Sequence, residues 1–350
     1  MKILHCIFSF NVGGAETMLI DVVNNQASVD EVGLCIINKS YSTNLLTKIS
    51  NKVKVILLNR KEGSRNINDI IRLNKTIITF GPNIIHCHDS KIINYLPTRF
   101  LYPTYLTVHG TKLSLGGIKK YDHIIAISQA VATDLEKRNI NQYHIIHNGI
   151  KTKKLSLKKN IFLKDKHTCK ILQIGRLEHT IKGQHLLIKS LYLLKKENLL
   201  SSINITVDFI GIGSSLEFLQ TMAVQLEVNN LIHFIGLKDR EYIYSHIKDY
   251  DFLVQPSINE GFGLTIAEAM VVGVPVLVSD VEGPLEVIGN GKYGYTFQCG
   301  NALSLAKQIT YMIKHSEEVQ NKAIQGQKYA TENYDISTMV AKYSQLYSSK

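Results

Sequence analysis

The sequence is poor in residues that interrupt or staple a chain. It holds six prolines and 23 glycines among 350 residues and has no low-complexity tract, which excludes a linker-dominated architecture. Its five cysteines, Cys6, Cys35, Cys87, Cys169 and Cys299, are scattered and odd in number. Four of them lie inside or beside apolar strand-like runs, the pattern of buried thiols in a reducing compartment rather than of a disulfide framework. The longest apolar stretch, Ala269 to Val278, is broken by Gly273 and Pro275 and falls far short of the ~20 residues a membrane span needs. The opening MKILHCIFSFNVGG turns polar within a few residues and has no small-residue cleavage site, so it reads as a first strand and not a signal peptide. Zinc-finger spacing, an aromatic RNP-like string and a basic zipper are all missing, which argues against a nucleic-acid partner. The phosphate loop GxxxxGK[ST] does not occur, and after Gly211–Ile212–Gly213 position 216 is Leu where a dinucleotide fingerprint has Gly, which argues against a nicotinamide enzyme. The expected location is cytoplasmic, with any membrane contact made at the surface.

What remains is an ordinary globular composition, 45% hydrophobic and 20% charged. The length exceeds what one core usually serves and predicts two domains. Forty Lys and Arg against 29 Asp and Glu leave a formal charge of +11, which favours phosphate-bearing partners.

Short Ile- and Val-rich runs alternate with longer amphipathic stretches. Strands are expected at 2–8, 32–37, 53–58, 84–86, 105–108, 123–127 and 143–146, with helices between several of them at 15–26, 67–80 and 129–137. After Ile150 comes a lysine-dense segment, KTKKLSLKKNIFLKDK (151–166), read as an exposed linker. The alternation then restarts, with strands at 170–174, 205–210, 232–234, 252–254, 275–278 and 295–297 and helices at 183–197, 214–226, 241–247, 264–272 and 302–314. Continuous apolar strands separated by helices predict parallel sheets covered on both faces, hence two doubly wound α/β domains. The expected division is 1–150, 151–333 and a terminal segment 334–350. In that last segment Ile336, Met339, Val340, Tyr343, Leu346 and Tyr347 recur at helical spacing after Asp335, a candidate N-cap. The helix is expected to cross the seam between the domains or to return to the first.

Ligands of open parallel sheets bind beyond the carboxyl ends of the strands. Three strand-to-helix loops there carry chemistry. PSINEGFGLTI (256–266) places Gly261 and Gly263 ahead of a helix whose first amides can meet an anion. Glu260 lies in that loop and Glu268 one turn inside the helix; carboxylates so close to a diphosphate site suit sugar hydroxyls. GRLEHTIKG (175–183) offers Arg176 as a planar fork and Lys182 as a point charge for a diphosphate. NVGGAE (11–16) supplies Gly13 and Gly14, which let a backbone pass close beneath a ligand. His88 and His109 stand at strand carboxyl ends, either as ligand contacts or as satisfied structural histidines. His147 is read as ordering the turn at the domain boundary. His86, Cys87 and His88 make a poor metal set, because alternate strand residues point to opposite faces; no metal site is read.

These segments together resemble the retaining glycosyltransferase family 4, whose members have the GT-B fold of two facing Rossmann-like domains with an interdomain cleft. The resemblance covers nearly the whole chain: GGAE at 13–16, VHG at 108–110, AISQAV at 126–131, HNGI at 147–150, GRLEHTIKG at 175–183, DFIGIG at 208–213, HFIGL at 233–237 and EGFGLTIAEAM at 260–270. The E-x7-E pair, Glu260 and Glu268, is its specific mark. The resemblance implies that Arg176 and Lys182 hold the donor diphosphate, Glu268 the ribose and Glu260 the donor sugar. Gly261, Phe262, Gly263 and Leu264 would offer backbone groups to sugar and phosphate, and the base would lie beside Gly236–Leu237. Gly13 and Gly14 would sit against the donor from the first domain, and His109 near the transferred sugar. It further implies hexosyl or N-acetylhexosaminyl transfer from a nucleotide-diphosphate sugar, UDP by family frequency, with retention and with no metal or other cofactor. The acceptor would be a lipid-linked glycan of bacterial O-antigen, capsule or exopolysaccharide synthesis. Segments 91–102 and 112–120, which mix apolar and basic residues, suit an anionic inner-membrane surface. Two alternatives stay open: a transferase acting on a soluble acceptor, and a non-catalytic nucleotide-sugar-binding partner subunit. Between Arg176 and Lys182 the sequence LEHTI departs from the more acidic or small residues of many relatives, and with it His179 and Thr180 shape the pocket.

Overall fold

The structure is a computed structural model that describes residues 1–158, 168–197 and 203–349. The chain divides into two compact units, Met1–Ile150 with Asp335–Lys350, and Lys151–Tyr334.

The first unit is built on a seven-stranded sheet. Its strands are β1 (Lys2–Ile7), β2 (Glu31–Asn38), β3 (Val53–Arg60), β4 (Ile84–Cys87), β5 (Thr104–Val108), β6 (His123–Ala126) and β7 (His144–Ile145), in the order β3-β2-β1-β4-β5-β6-β7. All pairings are parallel. The central strands are mostly apolar and buried because helices cover both faces, with His5, His86, Thr104 and Thr107 as their buried polar positions. β4 and β5 are buried at every position. The helix Ile67–Phe80 starts where the Asn66 side chain accepts from the Asn68 amide and stops at Gly81, which takes φ +63°.

The second unit repeats the plan with six strands. They are β8 (Thr168–Ile174), β9 (Asn204–Ile210), β10 (Ile232–Gly236), β11 (Phe252–Gln255), β12 (Val276–Ser279) and β13 (Tyr295–Phe297), in the order β10-β9-β8-β11-β12-β13. Its core gathers Leu187, Leu191, Phe209, Phe252, Leu277 and Ile309. The helix Leu264–Val272 is buried from Ile266 to Val272 and is bounded by Gly263 and Gly273, both at positive φ. In each sheet the order reverses between two neighbouring strands, β1 and β4 in the first and β8 and β11 in the second. That reversal opens a crevice at the strands' carboxyl ends.

The terminal helix Ile336–Ser348, capped by Asp335 on the Ser337 amide, belongs to the first unit. Asp335 bridges to Ile150, and Gly149 lies so near that an added Cβ would come within 2.7 Å of the Ile336 backbone. The units part after Tyr334, one residue beyond the expected boundary. A helix with no counterpart in the sequence reading, Ser316–Asn333, packs against Leu264–Val272.

The lysine-dense segment needs correction. Residues 159–166 lie outside the described residues, and Lys153 and Lys154 are exposed as expected of a charged linker. Lys158 is not. Its amide donates to the Val272 carbonyl at 2.8 Å, and its side chain, 7% exposed, lies 3.8 Å from Asp251. One lysine of the run is thus tied into the second unit.

Candidate functional site

The loops after β8, β9 and β10 are sewn together by backbone. The Gly175 amide donates to Ile210, Leu177 to Ile212, and Gly211 to Gly236. Two glycines permit this approach. A Cβ on Gly211, whose φ is +144°, would lie 2.0 Å from the Gly175 carbonyl, and one on Gly213 2.4 Å from that of Leu177. His179 tightens the seam, its Nδ1 2.8 Å from Ser215 Oγ and its ring stacked on Phe218 at 4.2 Å. This is what the LEHTI departure does locally: it ties the loop after β8 to the loop after β9.

The loop after β8 also presses on the loop after β11. Gly183, at φ +68°, passes so close to Pro256 that a Cβ would overlap its carbonyl oxygen. The Ile258 amide donates to Ile181 O at 2.8 Å. Gln184 Nε2 donates to the Arg176 carbonyl at 2.9 Å and Gln173 Nε2 to that of Lys182 at 3.2 Å. Both cations therefore rise from a braced backbone.

Lys182 Nζ lies 2.5 Å from Glu260 Oε2, which also accepts from Ser257 Oγ at 3.1 Å. The pair is part-buried, 22% and 15% exposed. Arg176 reaches Glu178 at 3.2 Å and keeps 63% of its side chain exposed. Glu268 is 5% exposed and meets Arg240 Nη2 at 3.2 Å, while Arg240 also lies over the Tyr244 ring at 4.9 Å. Glu268 is the fifth residue of its helix, whose first turn holds no acidic group, so a partnership with the helix dipole does not account for it. Gly263 precedes that helix at φ +109° and Gly261 precedes Phe262, which is buried edge-on against Tyr334 at 5.3 Å. Leu264 opens the helix, whose Ile266 and Ala267 amides donate to the Gly263 carbonyl. Gly236 turns at φ +79° and leaves Leu237 52% exposed at the end of β10.

One crevice edge in the second unit thus gathers Arg176, Lys182, Gly236, Leu237, Glu260, Gly261, Phe262, Gly263, Leu264 and Glu268. The other candidates lie in the first unit. Gly13 caps the helix Gly14–Gln26 with φ −163°, extended backbone that any residue adopts. His109 follows β5 and is part-buried, and the desolvation of its ring pushes it down to about 4.

Sequence reasoning missed Arg240, Ser257 and Gly283. Arg240 had a legible signal, a basic residue just after the Asp239 cap at the strand end, but its partner is 28 positions away. A Cβ on Gly283 would lie 2.4 Å from the Glu260 carbonyl, so this glycine lets the helix Glu282–Val287 back the Glu260 loop.

The family description "Glycosyl transferases group 1" matches residues 156–329, and "Glycosyltransferase Family 4" matches residues 12–154. The structure of Anabaena Alr3699/HepE in complex with UDP superposes with a TM-score of 0.84 at 20% identity, over 100% of both chains. Two glycosyltransferase family models thus span most of the chain between them, and its fold is GT-B. An uncharacterized glycosyltransferase of Methanocaldococcus jannaschii, MJ1607, is 25% identical over 240 residues, 59% of this chain and 60% of that protein. The Campylobacter jejuni N,N'-diacetylbacillosaminyl-diphospho-undecaprenol alpha-1,3-N-acetylgalactosaminyltransferase is 31% identical over 134 residues, 38% of this chain and 33% of that protein. The chain therefore matches less than two thirds of either relative's length.

Proposed function

We propose that the protein transfers a sugar from a nucleotide-diphosphate sugar to a hydroxyl, with retention at the anomeric carbon and without a metal. The observation that carries this reading is the part-buried Lys182–Glu260 pair at the switch point of the second sheet, beside a helix N-terminus. Arg176, Lys182 and that helix end face the charge that grows on the leaving diphosphate. Glu268 takes ribose hydroxyls, and Glu260 those of the donor sugar. Glu260 Oε2 is already engaged by Lys182 and Ser257, which suits an oriented hydrogen-bond acceptor better than a covalent nucleophile. Retention then follows from front-face attack, with the leaving phosphate oxygen taking the acceptor's proton. The likeness to the Anabaena protein, solved with UDP, favours a uridine nucleotide.

A panel of UDP-, GDP- and dTDP-sugars tests the donor by thermal unfolding. The matching donor at about 100 times its dissociation constant adds roughly 2.7 kcal/mol and raises the midpoint accordingly. No shift with any nucleotide sugar overturns the reading.

For the acceptor we favour a lipid-linked glycan at an anionic membrane surface. The Campylobacter relative's name specifies an undecaprenol-linked acceptor, and the first unit supplies a suitable surface. In segments 91–102 and 112–120, Ile92, Ile93, Leu96 and Ile118 are core residues, which removes them from any membrane face. Phe100, Leu101 and Leu113 are 80%, 66% and 46% exposed, beside Arg99, Lys112, Lys119 and Lys120. Among the described residues no helix is long and apolar enough to cross a membrane, so the contact proposed is interfacial. In vesicle flotation the protein rises with phosphatidylglycerol-containing vesicles, and Phe100→Ser with Leu101→Ser removes most of that binding. Flotation that ignores anionic lipid favours a soluble acceptor.

A further inference from the structure

The first unit buries a set of imidazoles on one sheet face. β1 carries His5, β4 carries His86 and runs into His88, and β5 runs into His109. Parallel pairing sets His5 beside His86, and alternation turns His86 and His88 to one side, away from Cys87. His86 is committed locally, with Nδ1 2.5 Å from the Tyr347 hydroxyl and Nε2 2.7 Å from Thr107 Oγ1. His5, His88 and His109 form a row. Gln26 Oε1, at the end of the first helix, lies 2.7 Å from His5 Nε2. His5 Nδ1 lies 3.0 Å from His88 Nε2, and His88 Nδ1 lies 3.0 Å from His109 Nε2. The rings stack, His5 on His88 at 5.3 Å and His88 on His109 at 5.2 Å. The row ends at His109 Nδ1, which is buried and has no hydrogen-bond partner among the described residues.

The ligand atoms of His5, His86 and His88 fall within 4.8 Å of one another. Their nitrogens are already paired with Gln26, Thr107, Tyr347, His109 and each other, so hydrogen bonding accounts for the cluster without a metal ion.

The protons of the row can be assigned. A neutral imidazole has one N–H and one lone pair, and burial keeps these rings neutral near pH 7, pushing His5 to about 4 and His88 down as well. A carbonyl oxygen only accepts, so His5 carries its proton on Nε2 and offers Nδ1. That lone pair is filled by the Nε2–H of His88, and the lone pair of His88 by the Nε2–H of His109. We infer that Gln26, His5 and His88 are positioning residues that hold His109 as the Nε2–H tautomer, with Nδ1 left as an acceptor for a ligand hydroxyl. An amide turned the other way would reverse all three protons and make Nδ1 a donor, so one atom of Gln26 sets what His109 presents. That the hydroxyl belongs to a sugar rests on the function proposed above; the tautomer does not.

The test is long-range 1H–15N correlation on the full chain labelled at histidine nitrogen, ligand-free at neutral pH, with His109→Gln assigning the signal. His109 is expected as the Nε2–H form in roughly tenfold excess or more, since reversing the row costs at least a hydrogen bond. Gln26→Met and His5→Phe, which remove the acceptor or the first link, bring the two tautomers toward equal population at His109. A wild-type His109 protonated on Nδ1, or a ratio unchanged in both variants, overturns the inference. The wild-type spectrum decides even if a variant fails to fold. UDP-glucose is then added to the wild type. A shift of the His109 signal supports the sugar contact; no shift with the Nε2–H tautomer in place overturns that contact alone.

Discussion

Lys182→Ala lowers sugar-transfer turnover about a hundredfold or more, and Arg176→Ala does the same. The argument is electrostatic. Breaking the glycosidic bond puts new negative charge on the β-phosphate oxygen, and a cation already positioned beside it stabilises that charge without the reorganisation that water needs. The two variants should differ in character. Arg176 is largely exposed and pairs with Glu178, so its loss removes one fork of donors. Lys182 is part-buried against Glu260, so its loss also leaves that carboxylate uncompensated and nearer to the diphosphate. Lys182→Ala is therefore expected to raise the donor KM as well as to lower kcat. Steady-state kinetics of both variants checks this, and wild-type-like values in both contradict the assignment.

The second large effect is on stability in acid. His5 and His109 move from 6.5 to about 4 on burial, and His86 and His88 are depressed as well, first by burial and then by the neighbouring His5 and His109. Between pH 6.5 and 4 the unfolded chain binds protons that the folded chain refuses. Stability from this source is complete above pH 6.5 and is lost as pH falls toward 4. For one such imidazole the loss at pH 4 is about 3 kcal/mol, a large share of a typical folding free energy of roughly 5–15 kcal/mol. Urea unfolding of the first unit at pH 7.5, 5.5 and 4.5 should show a midpoint that falls steeply, with a shallower slope in His109→Gln. A midpoint independent of pH over that window would mean the histidines are not held neutral.

Both effects trace to features of unequal visibility in the sequence. The strands were legible because a parallel sheet covered on both faces demands short, mostly apolar runs set between helical stretches, as at Ile3–Ile7 and Phe252–Val254. The terminal helix was legible through its stripe of large residues, from Ile336 to Tyr347. The helix Ser316–Asn333 was not: it buries Val319, Ala323, Gly326 and Ala330, a stripe at helical spacing but made of small residues that carry little hydrophobic signal. Arg176, Lys182, Glu260 and Glu268 were legible because glycines and charges share two short loops. Arg240 escaped, since what makes it relevant is a buried partner on another helix. His88 and His109 were singled out at their strand ends, but the row they form with His5 and Gln26 escaped for the same reason. Its members come from three strands and a helix, and only the sheet order β1-β4-β5 lines them up. Lys158 misled because a lysine in a lysine run looks solvated, yet its stem is buried.

The central claim is that the second unit grips a nucleotide diphosphate through the loops after β8 and β11. The most direct measurement is a crystal structure of the protein grown with UDP. The account predicts phosphate oxygens within hydrogen-bond distance of Arg176 and Lys182, the Lys182–Glu260 pair opened to admit them, and ribose hydroxyls on Glu268. UDP bound elsewhere, or a crevice still closed by Lys182 on Glu260 at saturating UDP, would contradict it.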